Sequence, residues 1–158
     1  METETATPWL TDEEQCAWRT HLEVNRLLNY QLERDLQPFG LTMNDYEILV
    51  NLSEAEGLRM RMSDLAAATL QSKSRLSHQI TRMENAGLVR RENCESDRRG
   101  LYTVLTDFGL ETMQKVAPHH VASVRQHFVD LVAPEDLGNL HKALTPIADH
   151  LRSQRGKP

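Results

Sequence analysis

Cysteine is nearly absent: Cys16 and Cys94 are the two in 158 residues. Two thiols 78 positions apart supply neither a disulfide framework nor a CxxC metal-ligand pair, so both are expected to be reduced. There is no long apolar run, and with a mean hydropathy of -0.54 a membrane span is not expected. The opening METETATPWL carries two Glu and no basic residue, so it lacks the charged and apolar regions of a secretory signal, and the protein is expected in the cytoplasm. Also missing are a Gly-rich phosphate loop, a GxSxG elbow, an HExxH pair and any carboxylate pair that spacing singles out. His119, His120 and His127 fall close together, but His21 is remote and no Cys/His ligand spacing appears. Neither an enzyme nor a metal or cofactor is expected.

What remains is a chain long enough to bury roughly 68–70% of its unfolded surface without a metal or disulfide staple. Its net charge of -5 argues, taken alone, against a nucleic-acid partner, yet the distribution is uneven. Residues 1–72 hold 5 Lys+Arg against 13 Asp+Glu, and residues 100–158 hold 6 against 6. Residues 73–99 hold 7 basic residues against 4 acidic ones, a net of +3. One short basic segment therefore sits inside an acidic molecule, and its fold decides what the charge is for.

Helix signals dominate the rest. Thr11 and Glu14 form a capping box, and Trp18, Leu22, Leu28, Leu32 and Leu36 recur at near-helical spacing until Pro38 and Gly40. Thr42 and Asp45 cap a second helix with an apolar face of Tyr46, Ile48, Leu49 and Leu52, and Gly57 stops it. Ser63 is read as the cap of a short helix through DLAAATL. Gln71-Ser72 interrupt it before a polar helix, SKSRLSHQITRMENAG, whose apolar stripe is Leu76, Ile80 and Met83, with Gly87 as its stop. LVRRENC and LYTVLT read as two short strands, with ESDRRG as the hairpin tip between them. Thr106 caps a helix whose apolar register continues through Pro118 to Leu131. Pro134 opens a last helix with Leu137, Leu140, Leu144, Ile147 and Leu151 stepping by 3 and 4, the period of a helix-packing seam.

A short helix, a tight turn, a second helix and then a hairpin make a winged helix-turn-helix. The second helix spends only three residues on its buried stripe. That leaves Ser72, Lys73, Ser74, Arg75, Ser77, His78 and Arg82 outside the core, hydroxyls and cations suited to phosphates and base edges in a major groove. The plain alternative is a solvated surface helix; the turn before it and the hairpin after it favour DNA. At the hairpin, Arg98 and Arg99 are two cations with no core to serve, and a narrow minor groove favours such arginines. Asp97 is placed to hold Arg99 in a fixed pose.

The run SDLAAATLQSKSRLSHQITRMENAGLVRR, then SDRRGLYTVLTDFG, resembles the winged helix of the MarR family of bacterial transcriptional regulators. The pattern Asp-x-Arg before Leu-Thr-x-x-Gly, here Asp97, Arg99, Leu105, Thr106 and Gly109, carries most of the likeness. It extends over nearly the whole chain, because the flanking helices match the family's dimerisation helices in order and length. The resemblance implies an obligate homodimer on palindromic double-stranded DNA, Arg99 in the minor groove with Asp97 orienting it, and repression relieved by a small ligand. The expected fold is mainly α with a small β wing, a single domain over 1–158. Within it, 41–106 form the winged helix-turn-helix and 11–38 and 107–153 the dimerisation helices. Independently, leucine stripes on the first and last helices would be exposed unless a partner covered them.

The inducing signal is less legible. The resemblance implies an effector site between dimerisation helices and winged domain, where Trp18, Arg19, His21 and Tyr46 would offer aromatic walls and a cation to an aromatic carboxylate or phenol. The plainer reading makes Trp18 and Tyr46 core residues. By the same resemblance, Cys16 near the start of the first helix implies a redox sensor of the same fold as an alternative, although Glu13 and Glu14 beside it disfavour the reactive thiolate. A winged-helix module that binds only other proteins is the remaining alternative, and the basic segment speaks against it.

Overall fold

In a computed structural model of the protein, residues 7–95 and 97–155 are described, 97–99 through their backbone alone. Helix α1 (Asp12–Leu36) starts at the capping box: Thr11 Oγ1 accepts from the Glu14 amide, and Glu14 accepts from the Thr11 amide at 2.8 Å. Only its C-terminal end is buried, at Leu32 and Leu36. A short 3-10 turn containing Pro38 and a left-handed Gly40 (φ 70°) reverses the chain into α2 (Met43–Glu54). There Thr42 and Asp45 form the second expected capping box, and Tyr46, Ile48, Leu49 and Leu52 are all buried.

Two local expectations fail after α2. The helix ends at Glu54, with Ala55 already extended, so Gly57 lies in a following 3-10 turn rather than at the helix end. A strand absent from the sequence reading follows, β1 (Arg59–Arg61), paired antiparallel with a strand more than forty residues later. It runs directly into α3 (Met62–Ala68), whose N-cap is Arg61 with no side-chain cap. Ser63 is therefore inside the helix and bonds Asp64 instead, because strand pairing rather than a hydroxyl sets where α3 begins.

Thr69 closes α3 by donating its hydroxyl to the Leu65 carbonyl, and Leu70 takes the left-handed conformation (φ 57°) that turns the chain. Ser72 then caps α4 (Lys73–Asn85) by accepting from the Arg75 amide. The stripe Leu76, Ile80 and Met83 is buried as read from spacing, each at 2% exposure or less. Strands β2 (Val89–Cys94) and β3 (Asp97–Leu105) form the hairpin, and the sheet order is β1-β3-β2. β3 starts at Asp97, so the backbone of Arg98 and Arg99 belongs to a strand, not to the hairpin tip expected from ESDRRG. Continued pairing of the two strands out to Cys94 and Asp97 shortens the tip.

Thr106 caps α5 (Asp107–His127), which passes through Pro118. It stops four residues before Leu131: Phe128 leaves helical geometry (φ -143°, ψ -66°), and Leu131 is exposed in a 3-10 turn. α6 (Pro134–Gln154) follows with Pro134 in its first turn. The core gathers α2, α3, α4, the inner face of the sheet and Val116 of α5. α6 buries none of its residues, and Leu144, Ile147 and Leu151 stand 39%, 56% and 58% exposed. Trp9, Trp18 and Leu27 near or on α1 are exposed too. No helix of the described residues is long and apolar enough to cross a membrane.

Candidate nucleic-acid interface

The outer face of α4 follows from its inner one. Leu76, Ile80 and Met83 fix which way the helix turns, and this leaves Ser72, Lys73, Ser74, Arg75, Ser77, His78 and Arg82 exposed, the set singled out from the sequence. The free amides of the first turn add partial positive charge beside Lys73 and Arg75. Hydroxyls, cations and a helix N-terminus on one surface form an anion-seeking face.

Arg82 departs from the simple picture. Its Nη2 donates at 2.6 Å to Oδ1 of Asp45, a carboxylate only 3% exposed, while the side chain itself remains 58% exposed. Gln79 Nε2 donates to the same oxygen at 3.0 Å, and Gln71 Nε2 to Gln79 Oε1 at 2.9 Å. Asp45 thus both caps α2 and holds the turn and α4 in place. The sequence showed the cap; the 37-residue reach to Arg82 left no local signal.

Arg91 is turned inward in a similar way. Its guanidinium and amide grip Glu84, and Nη2 donates to the Ser77 carbonyl at 2.8 Å. The Arg91 amide bond, with the guanidinium beside it, holds the Glu84 carboxyl below its ordinary pKa. The side chains of Asp97, Arg98 and Arg99 lie outside the described residues, so their expected contacts rest on backbone position alone. Arg90 is exposed and paired with Glu92. Across β3, the Arg59 guanidinium stacks over Tyr102, 4.8 Å from the ring centre, with Arg61 at 5.7 Å. Register puts Arg59, Arg61, Arg90, Glu92 and Tyr102 on one face of the sheet. Linear charge counting had left Arg59 and Arg61 in the acidic half of the chain.

The residues read as an effector pocket are not gathered by the contacts present. Trp18 is exposed and stacks on His21, with ring centres 6.0 Å apart, and Arg19 bonds Gln15. Tyr46 is core, facing the His120 ring at 4.5 Å. Cys16 is exposed, whereas Cys94 is buried and its Sγ accepts from Arg61 Nη2 at 3.4 Å. Among the described residues no three His, Cys, Asp or Glu side chains group as metal ligands.

Burial lowers the pKa of His120 and raises that of Tyr46. A histidine held neutral in the fold takes up its proton in the unfolded chain first, so stability is lost as pH falls below the ordinary imidazole value of about 6.5. The melting temperature is expected to drop between about pH 7.5 and pH 5.5, and to drop less in His120→Gln. Identical slopes in the two proteins would remove this role for His120.

Comparisons with known proteins agree with this geometry. A model of the MarR family matches residues 39–100. AbsC, a MarR family transcriptional regulator from Streptomyces coelicolor, is 84% identical, covers 94% of this chain and all of its own, and superposes with a TM-score of 0.90. Sco3205 from the same organism, a MarR family regulator solved in complex with DNA, is 41% identical over 96% of each chain, with a TM-score of 0.90. The transcriptional regulator PecS of Dickeya dadantii is 27% identical over 84% of this chain and 80% of its own. A helix-turn-helix with a three-stranded wing, long flanking helices, and 84% identity to a regulator of this fold over nearly its full length together place the chain in the MarR family of transcriptional regulators.

Proposed function

We propose that this regulator binds double-stranded DNA as a homodimer at a palindromic operator, with α4 in the major groove and the wing in the adjacent minor groove. The observation that carries the reading is the division of α4 into a fully buried stripe and an exposed face of hydroxyls and cations. Sco3205, alike in fold and 41% in sequence, is known in complex with DNA, which supports the same use here. Residues 41–106 are the reading head. Residues 11–38 and 107–153 join two copies, since the bare leucine face of α6 requires a cover and a two-fold partner supplies one. Two recognition helices would then lie about 34–36 Å apart, one DNA turn. Repression released by a small ligand bound near α1 completes the reading, with the α1 residues Trp18, Arg19 and His21 as its candidate contacts and Tyr46 left to the core. A regulator of this kind works in the cytoplasm.

Footprinting on DNA flanking the protein's own gene tests this directly, a two-fold symmetric protected site being the expected result. Arg99→Ala is expected to weaken that complex by more than about 1 kcal/mol, the scale of a base-level arginine contact, with the dimer intact by sedimentation. Unchanged affinity, or loss traced to unfolding, defeats the wing assignment. Thermal-shift screening with small aromatic acids tests the effector, and no stabilisation by any of them removes it.

A further inference from the structure

We propose that Arg91, although part of the basic segment, is a positioning residue that sets the angle of the wing on the recognition helix and does not itself contact DNA. This rests on the DNA-binding reading above. From β2 its side chain reaches across to one edge of α4, where Ser77, Thr81 and Glu84 lie at successive turns. Nη1 donates to Glu84 Oε2 at 2.7 Å and the amide to Glu84 Oε1 at 2.9 Å. Nη2 donates to the Ser77 carbonyl at 2.8 Å and to Thr81 Oγ1 at 3.0 Å, with a longer approach to Ser77 Oγ. The side chain is 22% exposed, against 58% for Arg82. A guanidinium with both terminal nitrogens engaged this way has little left to offer a phosphate, and its planar fork fixes direction as well as distance.

Leverage explains why this matters. Arg91 pairs with Thr103 of β3, the strand that continues outward to Arg99 and Arg98. Cys94, the end of β2, lies three residues beyond Arg91, about 10 Å at the rise of a strand, so a tilt of about 10° at the base moves the wing by about 2 Å. The apolar side of the junction is fixed by Leu88 and Val89 in the core. Arg91 fixes the polar side.

Glu84 makes the proposal separable from simple charge. Glu84→Gln leaves the protein more positive, so charge alone predicts tighter DNA binding; loss of the strut predicts weaker binding. The test uses the full-length dimer and a genomic fragment that the wild type protects. Arg91→Gln and Arg91→Lys are both expected to weaken binding about tenfold, with the wild-type dependence on salt, since no phosphate contact is lost. Glu84→Gln is expected to weaken it in the same direction, and the double variant no further than the stronger single one. Melting curves and sedimentation check that each variant folds and pairs. A salt slope lower by about one per protomer in Arg91→Gln, full activity of Arg91→Lys, or tighter binding by Glu84→Gln would each overturn the proposal. Failure of the wild type to protect any fragment instead removes the DNA reading on which it rests.

Discussion

Gly109→Ala is expected to destabilise the fold by at least about 3 kcal/mol, toward the severe end of overpacking substitutions. A Cβ at Gly109 would stand 2.0 Å from the Leu88 carbonyl oxygen, 2.8 Å from Leu105 Cδ1 and 3.0 Å from the Leu88 carbonyl carbon. Two of these are backbone atoms, so no side-chain rotation relieves the clash. The crowding has a purpose. Thr106 caps α5 by accepting from the Gly109 amide at 2.9 Å while its hydroxyl lies 2.6 Å from the Gly87 carbonyl and 3.0 Å from that of Leu88. The start of α5 is thereby seated on the chain leaving α4, and the Leu-Thr-x-x-Gly pattern noted in the sequence is the joint between α4, the wing and α5. Urea denaturation measures the effect: the midpoint of Gly109→Ala should fall far below that of the wild type, while Gly138→Ala, where nothing lies within 4 Å of the added carbon, should match or exceed it. A Gly109→Ala midpoint equal to the wild type would mean that the joint is looser than described.

The second large effect is on DNA binding. On the proposed DNA reading, Lys73 and Arg75 of α4 with one wing arginine, in two copies, would give about six phosphate neutralisations, for which affinity should fall about a thousandfold between 50 and 200 mM salt. That is about 4 kcal/mol from electrolyte alone. The chain is acidic overall, so the effect must come from the local face and not from net charge. Fluorescence anisotropy with the protected fragment, at protein concentrations where sedimentation shows dimer throughout, reads the slope. An affinity flat across this range rules out the face as a phosphate-binding surface, and a slope near half the expected value would indicate that only one subunit engages.

How far the sequence could be read depended on the range of each interaction. Both N-terminal caps, at Thr11 and Thr42, the α4 stripe and the hairpin were legible because their partners are within a few residues. β1 was not: Arg59–Arg61 has three residues, too few for its polar-apolar-polar alternation to stand out, and it becomes a strand only by pairing with Thr103 and its neighbours. Ser63 was read as a cap for the same reason, since the strand that starts α3 was invisible. α5 was read as longer than it is because apolar spacing persists through Phe128 and Leu131, whereas the backbone turns toward Pro134 at Phe128.

The outer face of α4 shows the same division more sharply. Composition and periodicity alone determined that a basic segment lies on a helix with one buried stripe, and hence which residues face outward, because helical phase is set by local spacing. Which of those cations remain available was decided by tertiary structure: Arg82 meets a carboxylate 37 positions away, Arg91 folds onto α4, and Arg59 and Arg61 join the wing from the acidic half. Charge counted along a chain ignores folding back, while the screening and hydrogen bonding that make a cation free or engaged depend on separations of a few ångströms in space.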